Sequence, residues 1–511
     1  MHNPISETGG DSSIVGALRE RASRCPGALA IDGAHRMSWR VLLADVERCA
    51  AELRALDMPV VAWQLDDDWR WVVLDLACLV NGQTALPIPR FFTPAQREGA
   101  LVAAGCRRLM LGVEAEDRTG PIVRQLRWLG VTVTDSGIAG TGAAIPKGTA
   151  KITFTSGSTG KPKGVCLSGS LLESVAEALN ARLEGLAVEP HLATLPLAVL
   201  LENVGGLYRC LLAGSRYILP PPEQRCVTGS SVFNDERLAE AIMAHAAGMV
   251  IATPGMIERM TTSGRRDAFR RLRFVAVGGA PLPERVLRAA RAAGMAAYEG
   301  YGLSECGSVV SLNVPGDDRP GTVGRPLPHL SVSCRDGELE VAGAGFLGYL
   351  GEPPRAMHAV ATGDLGHIAA DGRLELHGRL GNRIVTPMGR NVSPEWIESA
   401  LADVLPGHQI CVIDDPEGLA AVIAGPGSDA SIETALQATN RGLPDYARIA
   451  HWLCRRRPFG IDDGCLTTNG RLRRRAIRER FAHHPRQRVR AGEPASRERD
   501  PAAVITRRLE A

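Results

Sequence analysis

The sequence predicts an α/β fold. A large N-terminal domain of doubly wound sheets carries a β-rich subdomain, and a small α+β domain follows. Three observations carry this: short apolar runs alternate with amphipathic stretches over the first 300 residues, Gly/Asp turns crowd the segment 321–376, and a helix-bearing segment leads to a polar, arginine-rich end. At roughly 150 residues per domain, 511 residues make two to four folded units, and a hydrophobic fraction of 45% excludes a disordered chain.

From residue 14 to 130, the stretches 38–56, 68–80 and 94–104 have helical character, and the apolar runs 60–63, 109–111 and 131–133 read as strands between them. The rhythm returns with strands at 249–253, 274–277 and 296–298 and an Arg/Ala-rich helix at 284–293. Between 321 and 376, Arg335-Asp336-Gly337-Glu338 and Ala370-Asp371-Gly372-Arg373 are hairpin turns. A last α+β unit spans 384–483, with a helix at 394–404 capped by Asn391 and Ser393 and carrying Pro394 in its first turn. The expected domains are 1–380 and 381–484, with a basic, disordered tail at 485–511.

Charge and composition exclude several classes. With 59 basic and 56 acidic residues the net charge is +3, which argues neither for nor against a nucleic-acid partner, and none is expected. The most apolar stretch, 192–213, holds Pro196, Glu202, Asn203 and Arg209; a span there would put a carboxylate and a guanidinium in lipid, so no transmembrane segment is expected. Residues 1–13 lack the basic and apolar regions of a secretory signal. The twelve cysteines form no CxxC pair, which fits reduced core thiols and a cytoplasmic location.

Lysine is the exception in the composition. The chain has four lysines against 55 arginines, and Lys147, Lys151, Lys161 and Lys163 all fall within seventeen residues. Around them runs Thr153-Phe154-Thr155-Ser156-Gly157-Ser158-Thr159-Gly160-Lys161-Pro162-Lys163-Gly164-Val165. Glycines let successive N–H groups cradle anionic oxygens, hydroxyls add donors, and lysine brings mobile charge, a combination suited to polyphosphate. It is no Walker loop, because Pro162 stands where that motif needs Ser or Thr opening a helix.

The segment closely resembles the phosphate loop of the adenylate-forming superfamily of acyl-CoA synthetases, luciferases and adenylation domains. Downstream, Gly278-Gly279-Ala280-Pro281 resembles its adenine-side loop, and Gly300-Tyr301-Gly302-Leu303-Ser304-Glu305 its Tyr-Gly-x-Thr-Glu motif with Ser304 for Thr. Thr362-Gly363-Asp364-Leu365 and Gly378-Arg379 resemble its ribose-gripping pair, and Gly389-Arg390-Asn391-Val392-Ser393-Pro394-Glu395 the opening of its C-terminal domain.

The resemblance implies ATP held by Thr155, Ser156, Gly157, Ser158, Thr159, Gly160, Lys163, Gly279, Ala280, Gly300, Tyr301, Gly302, Ser304, Asp364 and Arg379. Glu305 would ligate Mg²⁺ as a hard oxygen donor, and Lys163 and Glu305 would act in catalysis. A carboxylate would attack the ATP α-phosphorus, and a thiol, CoA or a carrier protein's phosphopantetheine, would then take the acyl group. Gly381 stands at the residue about which members of the family rotate their C-terminal domain.

Leu195-Pro196-Leu197-Ala198-Val199-Leu200-Leu201-Glu202 resembles the Leu-Pro-Leu-Ala-His-x-Phe-Glu pattern of long-chain fatty acyl-CoA synthetases, with Val199 for His. Val199, Gly279 and Gly302 are therefore the expected contacts to a hydrophobic carboxylic acid. Arg471 takes the place of the family's adenylation lysine. It keeps the charge but is planar and bulkier, so the chain is either an active ligase or a nucleotide-binding pseudoenzyme.

Overall fold

The computed structural model describes residues 12–115, 120–138, 145–155, 163–229, 232–353, 359–385, 391–415, 418–467 and 470–489. Ser156, Gly157, Ser158, Thr159, Gly160, Lys161, Pro162, Gly389 and Arg390 lie outside them, as do 490–511 of the expected tail. The chain forms two compact units. One comprises Met1–Thr362 and His367–Glu375, the other Gly363–Gly366 and Leu376–Ala511.

Among the described residues, the first unit contains a nine-stranded and an eight-stranded sheet. The nine-stranded sheet has a parallel centre in the order Ala297–Tyr301, Phe274–Val277, Met249–Ala252, His191–Leu192, Tyr217–Leu219, Leu29–Gly33. Its edges are antiparallel: Ser311–Leu312 and Arg325–Pro326 on one side, Met37–Ser38 on the other. The eight-stranded sheet runs Phe346–Tyr349, Lys163–Ser168, Thr149–Thr155, Thr84–Pro87, Val60–Gln64, Arg108–Gly112, Val131–Asp135, Ile122–Leu126. It too is parallel only at its centre.

Local chemistry sets the helix boundaries near where the sequence puts them. Ser38 accepts from the Val41 amide to start Trp39–Ala55, and Asp68 accepts from Arg70 to start Trp69–Asn81, which Gly82 ends at φ +64°. Thr93 and Gln96 form a reciprocal capping box around Pro94–Ala103. The turn Asp336-Gly337 takes φ of 51° and 81°, so Arg335 and Glu338 pair directly across the hairpin.

In the second unit, Gln409–Asp415, Gly418–Ala424, Ile449–Arg455 and Gln487–Arg488 form one sheet. Alternate residues fill two cores: Ile410, Val412 and Ala421 pack with Ile397, Leu401 and Leu436, while Cys411, Ile413 and Val422 pack with Phe459, Ile477 and Phe481. Two sequence expectations change here. Gln487–Arg488 pairs with Ile449–Arg455, so ordered structure continues beyond His484 into the expected tail. Ser393 occupies the cap position of Pro394–Val404, but its hydroxyl makes no cap bond; it donates to the His377 carbonyl at 2.6 Å.

No helix among the described residues is long and apolar enough to cross a membrane. The apolar stretch instead breaks into the helix Leu200–Glu202, a π-helical turn Asn203–Tyr208 and the helix Arg209–Ala213. Its carboxylate and guanidinium are nonetheless buried, because the protein interior supplies partners that lipid lacks. Glu202 meets His191 and Tyr217, and Arg209 meets Glu189 at 2.7 Å.

Candidate active site

Strand direction assembles the first part of the site. His191–Leu192, Met249–Ala252, Phe274–Val277 and Ala297–Tyr301 run parallel and adjacent. The segments that leave their carboxyl ends are therefore neighbours: the turn 193–199, the loop 278–281 and the motif 300–305. Ligands of open α/β sheets bind at such an edge. Gly278 lies close to both neighbours, since a Cβ on it would stand 3.7 Å from a methyl of Leu201, just past the turn, and 3.7 Å from the Gly300 carbonyl oxygen.

The glycines here are demanded by geometry. Gly279 has φ +85°, a conformation costly for a side-chain-bearing residue, and it presents Ala280 and Pro281 on an exposed loop. A Cβ on Gly302 would fall on the Ser308 carbonyl oxygen. Between Gly300 and Gly302, Tyr301 is 9% exposed, with most of its ring area packed inside. Ser304 and Glu305 lie in the 3₁₀ turn Ser304–Cys306 and are half-buried. Beneath the loop, Glu299 accepts from the Leu282 amide at 3.3 Å, and burial pushes its carboxyl up to about 8.

The strands that flank the expected phosphate-loop segment form the second part. Thr149–Thr155 and Lys163–Ser168 pair antiparallel, with Thr155 opposite Lys163. The chain thus returns as a strand, in keeping with Pro162 and unlike a Walker loop. The lysines have separate fates. Lys147 is exposed in a turn before the strand, Lys151 is 2% exposed inside the unit, and Lys163 opens the returning strand.

Lys163 and Glu305 are brought together by a residue that the sequence reading missed. The Lys163 ammonium lies 4.9 Å from the ring centre of Tyr349, whose hydroxyl donates to Glu305 Oε1 at 2.9 Å. Glu352 approaches the same ammonium at 4.0 Å. Tyr349 reaches this position because Phe346–Tyr349 pairs along the Lys163–Ser168 strand, with Tyr349 opposite Val165. Its signal is tertiary, a strand pairing across about 180 residues. The donor set suits Mg²⁺: Glu305 offers carboxylate oxygens beside a cation that would share a polyphosphate's charge.

Val199 is half-buried at the start of Leu200–Glu202. The turn before it is held by carboxylates. Glu202 accepts from the Thr194 and Leu195 amides at 3.2 and 3.0 Å, and Asp67 accepts from the Leu197 amide at 2.8 Å.

In the second unit, Asp364 is 6% exposed and pairs with Arg379, Nε to Oδ1 at 2.7 Å. Arg471 is exposed on a tight turn, where its amide donates to Thr467 Oγ1 at 3.1 Å and its carbonyl accepts from the Thr467 amide. Arg379 and Asp364 lie within electrostatic reach of it, so three of the expected residues share one neighbourhood. Gly381 sits exposed in the 3₁₀ turn Leu380–Asn382.

This fold and this set of motifs define an adenylate-forming enzyme. The AMP-binding enzyme family matches the chain over residues 18–350, and the chain belongs to that family. Among its relatives, the long-chain-fatty-acid–CoA ligase FadD15 of Mycobacterium bovis is 31% identical over 239 residues, 40% of each chain. The medium/long-chain-fatty-acid–[acyl-carrier-protein] ligase FadD10 of Mycobacterium tuberculosis is 27% identical over 495 residues, covering 84% of this chain and 88% of the relative. The fold is shared with o-succinylbenzoate CoA synthetase of Bacillus subtilis bound to its acyl-adenylate, at TM-score 0.73 and 20% identity over 90% of this chain and 97% of that one. The anthranilate CoA ligase AuaEII with anthranoyl-AMP gives TM-score 0.75 at 18% identity, over 91% and 96%.

Proposed function

We propose that the protein uses ATP to activate an apolar carboxylic acid and passes the acyl group to a thiol, CoA in the first instance. The observation that carries this reading is the Lys163–Tyr349–Glu305 linkage, in which an ammonium suited to polyphosphate and a carboxylate suited to a metal ion share one tyrosine. The side chains from Leu195 to Leu201, apolar throughout, support an apolar acid.

The chemistry balances in two steps. A carboxylate oxygen of the acid attacks the α-phosphorus, the bond to the β-phosphate oxygen breaks, and pyrophosphate leaves. The thiol sulfur then attacks the acyl carbonyl, AMP departs, and the thiol proton goes to solvent or base. Lys163 spreads the charge that builds on the phosphate oxygens, and Glu305 holds Mg²⁺, which neutralises the triphosphate when bound. Asp364 accepts the ribose hydroxyls with Arg379 holding its carboxylate, and Arg471 supplies positive charge for the α-phosphate. Tyr301 packs against the adenine from the floor of the loop.

A carrier-protein thiol is the second reading. It draws support from FadD10 and from the Mycobacterium marinum fatty acid–[acyl-carrier-protein] ligase MmaC, each aligned over 84% of this chain. The test is ATP–pyrophosphate exchange over a panel of fatty and aryl acids, followed by CoA and phosphopantetheinylated carrier protein as competing acceptors. Exchange with medium or long acyl chains and CoA-dependent AMP release are expected. ATP binding without exchange on any acid would overturn the enzymatic reading.

A further inference from the structure

Lys151 is buried at 2% exposure in a chain that otherwise uses arginine almost throughout. Its ammonium stands 2.7 Å from Asp75 Oδ1, donates to Tyr208 OH at 2.9 Å and donates to Asn203 Oδ1. The ring is closed by the Tyr208 hydroxyl and Asn203 Nδ2, which donate to Asp75 Oδ2 at 2.7 and 3.0 Å. The tetrahedral ammonium thus has three partners, and the ring centres of Tyr208 and Trp71 lie 4.9 and 5.7 Å away. A planar guanidinium has no matching set of acceptors, which accounts for lysine here. Burial lowers the proton affinity of Lys151, and the Asp75 carboxylate opposes that shift.

Such a cluster is a weak source of stability, because apolar residues of the same volume often replace a buried ion pair without loss. What it does is join three elements. Asp75 belongs to the helix Trp69–Asn81, and Lys151 to the strand Thr149–Thr155, which carries the first residues of the proposed phosphate-binding motif. Asn203 opens the π-helical turn directly after Glu202, which holds the Thr194 and Leu195 amides. Glu202 is itself fixed by His191 Nε2 at 2.7 Å and the Tyr217 hydroxyl at 3.0 Å. Gly206 makes room for this, since a Cβ there would overlap Glu202 and His191. Asp67, just before the helix that carries Asp75, pins Leu197.

We propose that Asp75, Lys151 and Asn203 are positioning residues that hold the phosphate-loop strand and the turn bearing Val199 in one register. The α-phosphate and the attacking carboxylate are then kept at reacting distance without either being touched by the cluster. This rests on the function proposed above. A misplacement of about 1 Å costs on the order of 10²-fold in rate, so the cluster's effect belongs in kcat and not in the binding of either substrate alone.

Two variants and two readouts test it. Tyr208→Phe removes one hydroxyl at constant shape, and the pair Asp75→Leu with Lys151→Met removes both charges together. Each is expected to melt near the wild type and to keep KM for ATP and acid within about threefold, while kcat falls about tenfold or more. Amide hydrogen exchange gives the second readout. In Tyr208→Phe, protection should fall together in 153–155 and 194–197 and stay unchanged in the second unit. Wild-type kcat in the folded double variant, or loss of protection in one segment only, would overturn the proposal. If the wild type exchanges pyrophosphate with no acid, the proposed function fails by itself, and joint or separate loss of protection still decides the positioning role.

Discussion

Tyr349 is the residue on which the two charged ends of the proposed phosphate site meet. Its ring faces the Lys163 ammonium and its hydroxyl donates to Glu305. Tyr349→Phe should keep the ring contact and lose the bond to the carboxylate, raising the Mg²⁺ concentration for half-maximal exchange about tenfold, the scale of one hydrogen bond to a charged group. Tyr349→Leu should in addition weaken ATP binding, read by titration calorimetry. Equal Mg²⁺ dependence in all three proteins would show that Glu305 needs no such partner.

At Arg471 the expectation concerns shape. Arg471→Lys should maintain or raise adenylation. Arg471→Ala should lower exchange by about 10²–10³-fold, as for loss of a charge-stabilising donor. An unchanged rate in Arg471→Ala would remove this residue from the chemistry. These residues also show where the sequence is readable. Glu305, Asp364 and Arg379 lie in compact motifs whose chemistry is local, whereas Tyr349 acts through a strand pairing and Lys151, though only four residues from Thr155, points into the core.

Elements were legible where their determinants are short-range. Caps at Ser38, Asp68 and Thr93 and the Asp336-Gly337 turn depend on residues three apart or fewer, and the boundaries fall within a residue or two of those expected. Thr93→Ala should accordingly destabilise the fold by about 1 kcal/mol, measured by denaturant unfolding with unchanged m-value. The antiparallel edges of the nine-stranded sheet were not legible, because two-residue strands such as Ser311–Leu312 carry no period. Nor was the π-helical turn, which depends on Glu202 and Asn203 finding buried partners. Gly302→Ala tests the loop that follows Ala297–Tyr301. Its new methyl would displace the Ser308 carbonyl, so ATP use should fall while the melting temperature drops modestly.

For the whole molecule, the interior polar groups make stability depend on pH in a direction that surface charge does not set. Glu299 is buried at 8% exposure, and its carboxyl is held at about 8 against an unfolded value of 4.5. Between those values the folded protein keeps the proton and the unfolded chain releases it. The folded state therefore binds more protons, and stability falls as pH rises from about 4.5 to about 8, then levels off. Glu299→Gln keeps an acceptor for the Leu282 amide and removes the titration. Thermal unfolding followed from pH 5 to 9 should show the wild type losing stability relative to this variant until about pH 8 and running parallel to it above. Parallel curves across the whole range would mean that Glu299 ionises as freely in the fold as outside it. The loop 278–281 would then rest on a carboxylate across that range.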